Sequence, residues 1–91
     1  MLAAIERWLD HRRAIRRRWQ ADARVLVEAD EVIAYYEAQR RAARAPVRGD
    51  GAEFYHWAKV AAEIARIAPR AEMDIEFVRR IAADEERRKL A

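Results

Sequence analysis

His11 and His56 are the chain's only imidazoles, and no Ser, Thr or Cys stands anywhere beside them. Without those three residues, hydroxyl or thiol acyl-enzyme chemistry is excluded. Thiolate zinc sites, iron–sulfur ligation and disulfides go with it. One spacing has the form of a metal motif. Glu53-Phe54-Tyr55-His56 is Glu-x-x-His, which on a helix puts both donors on one face, as in di-iron carboxylate bundles. Such a site needs further carboxylates from a neighbouring helix. An antiparallel neighbour would present Arg40-Arg41-Ala42-Ala43-Arg44 instead, and cations there oppose a metal ion. Glu53 therefore reads as a helix-capping residue and His56 as an edge residue.

The remaining candidates for chemistry are weaker. His11 lies between Asp10 and Arg12 and reads as exposed. Gly49 and Gly51 fit a turn and lack the lysine and hydroxyl of a phosphate-binding loop. Asp30-Glu31 and Glu85-Glu86 are sequence neighbours, about 100° apart on a helix. Neither couple forms a general acid and base, and they read as a cap and a solvated tail. The expectation is a protein that is not an enzyme, with no catalytic, cofactor-binding or metal-binding residue, no cofactor and no small-molecule substrate.

Charge is the stronger signal. The net charge is +3 over 91 residues, but it is unevenly placed. Residues 1–20 hold Arg7, Arg12, Arg13, Arg16, Arg17 and Arg18 against Glu6 and Asp10, a side-chain sum of +4. The rest of the chain sums to −1. Three readings of this first segment compete. Trp8 and Trp19 pack inward or against a partner chain while the arginines form a solvated face. Alternatively, Trp and Leu enter an anionic membrane interface with Arg12, Arg13, Arg16, Arg17 and Arg18 at the headgroups. In the third reading, those arginines grip nucleic-acid phosphates. Arg outnumbers Lys 17 to 2 across the whole chain, so the preference for Arg is compositional and does not itself signal bidentate phosphate recognition. A late recognition helix is disfavoured, because Glu72, Asp74 and Glu76 crowd the start of the last helical segment and would repel phosphate.

The elements that must carry these groups are helices. Apolar residues are 53% of the chain, yet 21 of them are Ala, so the core is thin. Residues 1–45 contain no Gly and no Pro; both Gly residues and Pro46 cluster in 46–51, and Pro69 marks a second break. Spacings of three and four predict helices near 3–28, 31–45, 52–68 and 72–88, with a loop at 46–51 and Asp30 and Asp50 as caps. No segment alternates with period two. The predicted fold class is all-α, three or four helices in a hairpin or bundle arrangement within one domain. Its expected core is Trp19, Leu26, Ile33, Tyr36, Phe54, Trp57, Ala61, Ile64, Phe77 and Ile81. The Tyr35-Tyr36 helix, the Gly49-Asp50 turn and the Trp57 helix ending at Pro69 resemble one tetratricopeptide hairpin. The Gly49-to-Pro69 interval is longer than in that repeat, and a single unit cannot bury its own faces.

Leu2, Ile5, Trp8 and Leu9 form an apolar surplus that the later helices cannot readily cover, and an open face of that kind has a destination. The expected function is an adaptor, regulatory or accessory subunit. Its expected partner is another protein or a second copy of itself, with an anionic membrane surface or nucleic acid as the alternative. The longest uninterrupted apolar run, Val32 to Tyr36, is five residues. No targeting segment is visible, and the expected location is the cytoplasm or the inner face of a membrane.

Overall fold

A computed structural model describes residues 1–46 and 51–90. Four helices follow one another: α1 (Leu2–Ala29), α2 (Ala34–Arg44), α3 (Ala52–Ile67) and α4 (Ile75–Leu90). There are no strands among the described residues, and the all-α bundle expected from the spacing is what forms. The 46–51 loop falls mostly on residues 47–50, outside the described residues, as do the expected cap Asp50 and the Gly49-Asp50 turn.

Local hydrogen bonding sets where each helix begins. α1 ends at Asp30, whose carboxylate turns back to accept the Val32 backbone N–H at 3.1 Å. That bond holds residues 31–33 in a turn, so α2 starts at Ala34 rather than at 31. Gly51 occupies the N-cap position of α3 with φ +74°, a left-handed conformation that glycine adopts without strain. At α4, the Asp74 carboxylate accepts the Glu76 N–H at 2.9 Å, and the Glu72 N–H goes instead to the Val32 carbonyl at 3.0 Å. Residue 72 is thus spent on the α1–α2 turn, and helix formation waits until Ile75.

α3 starts beside Ile15 and Arg18 of α1, and the segment after it passes beside Glu31 and Val32. The two helices therefore run parallel, with α2 antiparallel between them. α4 packs on α2 alone, on the side away from α1. The seams are narrow because Ala lines them. Ala34, Ala38 and Ala42 of α2 recur at every fourth residue, all buried, and the first two cluster with Ala23, Leu26, Val60, Ala61 and Ile64. Ile64 and Val60 are the largest side chains fully removed from water. Burying a side chain of that size contributes about 1.5–3 kcal/mol, so stability rests on few residues.

Cations cross the seams by lying over aromatic faces, Arg41 on Trp57 at 4.7 Å and Lys59 on Trp19 at 5.6 Å, and Lys59 also lies over Tyr55 of its own helix at 5.3 Å. Tyr36 is buried against Phe77, ring centroids 4.5 Å apart, and its hydroxyl accepts the Asp74 N–H at 2.9 Å. Leu26, Tyr36, Ala61, Ile64 and Ile81 are buried as expected, while Trp19 and Trp57 are partly so. Ile33, Phe54 and Phe77 are corrections, for all three are exposed. On α2 the core-facing arc belongs to alanines, which leaves Ile33 outside it. Phe54 lies in the first turn of α3, ahead of the packed seam, and Phe77 covers Tyr36 from the solvent side.

Glu85, read as part of a solvated tail, is the largest departure. It is only 3% exposed and is the one buried charged residue among those described. Its Oε1 accepts from Arg44 Nε at 2.9 Å, with Arg88 at 3.8 Å and Arg40 at 4.0 Å. Ile81, one turn earlier, is also buried, so α4 presents both residues to α2. The bundle closes over a carboxylate because three guanidiniums neutralise it there.

Candidate functional site

The chemistry-bearing residues singled out by type do not converge. Glu53 is exposed, and His56 faces α1, its ring N–H donating to Asp22 Oδ2 at 2.7 Å. That contact ties α3 to α1 across 34 residues of sequence, beyond what local spacing reveals. His11 is exposed on α1, far along the helix from His56. No group of three or more His, Asp or Glu is placed to hold a metal ion among the described residues. One carboxyl is perturbed on the surface of α3. A hydrogen bond from Arg66 holds Glu63 below its ordinary pKa; burial opposes this, and the charges of Arg66 and Arg24 add to the lowering.

What the fold does isolate is the first half of α1. Every residue from 1 to 13 is exposed, while burial on α1 begins at Ala14 and Ile15. α3 begins at that same level, so some 12 residues, about 18 Å of helix, project past the end of the bundle. The molecule measures 47 × 33 × 19 Å, with a radius of gyration of 15.1 Å. A compact chain of this length would have about 12 Å. The projecting helix accounts for the difference.

At 100° per residue, Ile5 and Trp8 fall on the arc that later carries Trp19, Ala23 and Leu26 into the core. Leu2 and Leu9 lie at its edge, where Val27 sits farther on. The core stripe of α1 thus continues past the bundle, interrupted by Arg12, whose guanidinium lies over Trp8: Leu2 is 76% exposed and Trp8 is 56% exposed. Tyr55 in the first turn of α3 is exposed as well, beside Ile15, Arg12 and Arg16, while Phe54 is exposed on the other side of α3, near Ala42, Val78 and Ala82. Together, helix and bundle end make a step with an apolar tread.

The arginines border this step unequally. Arg12 lies over the Trp8 ring at 5.0 Å, and Arg13 pairs with Asp10 at 3.4 Å. Arg16, Arg17 and Arg18 are exposed and make no ion pair among the described residues. Elsewhere Arg40, Arg41, Arg44, Arg66, Arg79, Arg87 and Arg88 all reach carboxylates. Arg16, Arg17 and Arg18 are thus a run of three unpaired cations where the helix leaves the bundle.

A second apolar cleft runs between α2 and the start of α4, floored by Tyr36, Met73 and Phe77 and rimmed by Glu37, Arg40 and Asp74. It is shallow and contains no buried, unpartnered polar side-chain atom among the described residues. No described helix is long and apolar enough to cross a membrane. Compared with known proteins, the chain matches no protein-family model, no curated protein and no solved structure.

Proposed function

We propose that this protein is a non-catalytic interaction module, an adaptor or accessory subunit, that engages a macromolecular partner through the projecting half of α1. One observation carries the reading. The stripe that packs α1 into the bundle continues through Trp8, Ile5 and Leu2 with no covering element among the described residues. A large exposed apolar patch with a polar border marks an interaction surface. Trp and Arg, which meet at Trp8 and Arg12, are the residue types that dominate interface energetics.

The test is site-specific photo-crosslinking in the cell of origin. A photoreactive residue at Leu9 is expected to give covalent adducts, and one at exposed Ala83 on α4 is expected to give none. Equal yields from both positions would remove the basis for the proposal. The unpaired Arg16, Arg17 and Arg18 favour a second reading, attachment to an anionic membrane surface or to nucleic acid. It predicts a blue shift of Trp fluorescence with anionic vesicles, or retained nucleic acid, in either case weakened by salt.

A further inference from the structure

We infer that the cleft where α1 leaves the bundle, flanked by Arg12, Arg16, Tyr55 and Lys59, is a binding site for single-stranded nucleic acid, an inference that rests on the second of the two readings above. Arg12, Ile15, Arg16, Trp19 and Tyr55 line a cleft of about 190 Å³ between α1 and the start of α3. Lys59, one turn farther along α3, places its ammonium over two of these rings, 5.6 Å from the Trp19 centroid and 5.3 Å from that of Tyr55. Three cations and two rings therefore meet at one place. None of Arg12, Arg16 and Lys59 reaches a carboxylate among the described residues. No carboxylate lines the cleft either. Glu53 and His56, the latter bound to Asp22, line a separate cleft that shares Ile15 and Tyr55. On α1 itself, Glu6 and Asp10 fall about 80° or more around the helix from both arginines.

The order of these groups selects the ligand. A helix lying in a membrane interface needs a continuous apolar face with its cations at the border. At 100° per residue, Arg12 and Arg16 stand inside the arc bounded by Trp8 and Leu9 and break that face. Rings and cations interleave along the arc instead, as Trp8, Arg12, Arg16 and Trp19, with Arg12 over the Trp8 ring at 5.0 Å. Single strands are held in this way, bases stacking on aromatic faces while cations track the phosphates. Arg12 and Arg16 are about 6 Å apart along the helix axis, close enough to serve neighbouring phosphates. Tyr55 is 53% exposed and offers its ring to a base. The cleft is smaller than the roughly 300–1,000 Å³ that encloses a small molecule. It admits one planar ring and leaves the rest of the ligand outside, as a strand does. A duplex keeps its base faces stacked and gains the phosphate contacts alone.

The experiment is fluorescence anisotropy of a labelled oligothymidine titrated with the full chain at low salt. A thymidine–adenosine duplex of the same length and vesicles containing phosphatidylserine are the comparison probes. The single strand is expected to bind about tenfold or more tightly than the duplex. Tyr55→Ala is expected to weaken strand binding about tenfold, and Tyr55→Phe, which keeps the ring, to leave it near wild type. Arg12→Gln/Arg16→Gln is expected to flatten the dependence of log affinity on log salt by about 1.4, the share of two phosphates on a single strand. Arg79→Gln/Arg87→Gln removes the same charge from α4 and should change affinity about threefold or less. The arginine pair is exposed on α1, so its test stands even where Tyr55→Ala loosens α3.

No binding of the single strand at low salt overturns the inference, as does binding that the duplex matches or that neither the Tyr55→Ala nor the Arg12→Gln/Arg16→Gln variant weakens. Vesicle binding without strand binding overturns it and leaves the anionic-partner reading standing. Binding to none of the three probes overturns both.

Discussion

Replacing Glu85 tests whether this arginine-rich bundle depends on its one buried carboxylate. Glu85→Ala removes the 2.9 Å bond from Arg44 and leaves Arg40, Arg44 and Arg88 facing one another. Breaking a buried ion pair from one side costs about 3–5 kcal/mol when the orphaned charge stays buried. Here the side chains of Arg44 and Arg88 are 48% and 65% accessible, so they rehydrate and the cost falls. A charge-assisted hydrogen bond contributes about 1.5–3 kcal/mol, which places Glu85→Ala at about 2–3 kcal/mol. Glu85→Gln keeps an acceptor oxygen in the same place and should cost about 1–2 kcal/mol. Neighbouring Glu86 is exposed and meets only Lys89 at 4.0 Å, so Glu86→Ala should stay within about 0.5 kcal/mol. The assay is urea unfolding followed by far-ultraviolet circular dichroism at one low protein concentration, because self-association adds stability by mass action. For a domain this size the loss on Glu85→Ala corresponds to a Tm lower by about 10–20 °C. If Glu85→Ala and Glu86→Ala unfold together, the three-arginine cluster contributes nothing to holding α4.

Three further expectations follow from the core and the surface. Ile64→Ala should cost about 2–5 kcal/mol by urea unfolding, since Ile64 is fully buried among side chains too small to refill the space. Tyr36→Phe should cost about 1 kcal/mol, because it frees the Asp74 N–H while keeping the ring against Phe77; a larger loss would mean that the hydroxyl organises more than the start of α4. Arg66→Ala should raise the Glu63 pKa in a carbon-detected NMR titration. Glu63 is depressed in the folded chain, so the stability that Arg66 lends it is present above the ordinary carboxylate pKa. The gap between wild type and variant should close as pH falls through the lowered value.

Helix number and class were legible because spacings of three and four persist over long stretches without Gly or Pro. Helix starts were less so. Asp30 and Asp74 each engage a backbone N–H two residues on, and that choice depends on where neighbouring segments leave their donors. The core was misjudged for one reason. Ile33, Phe54 and Phe77 carry hydrophobic weight, whereas Ala34, Ala38 and Ala42 carry little, yet the alanines let α2 approach α3 closely and so define the buried arc. Their period of four was available in the sequence as a stripe of small residues. Glu85 could not be told from Glu86 by local reasoning, since its burial depends on Arg40 and Arg44 arriving from a helix some 40 residues earlier. The same limit hid the Asp22–His56 contact. The exposed face of Leu2, Ile5, Trp8 and Leu9 was visible in outline, because it exceeds what three short helices can cover.

Where the carboxylates go bears on why Arg16, Arg17 and Arg18 stand without ion pairs. Glu85 gathers arginines from α2 and α4, Glu37 holds Arg41, Glu63 holds Arg66, and Asp22 is turned toward His56. None of these acids reaches Arg16, Arg17 or Arg18. Fold and surface are then separable by mutation. Residues 1–13 are all exposed, so substitutions of the apolar residues among them should leave the folding equilibrium of the chain nearly unmoved. Trp19, Ala23 and Leu26 lie on the same helix but inside the seam, and changes there unfold the bundle. The boundary falls near Ile15, where one continuous helix passes from exposed to packed. A series of alanine substitutions along the stripe should therefore change character at that residue, leaving the urea midpoint unmoved on the exposed side and lowering it on the packed side.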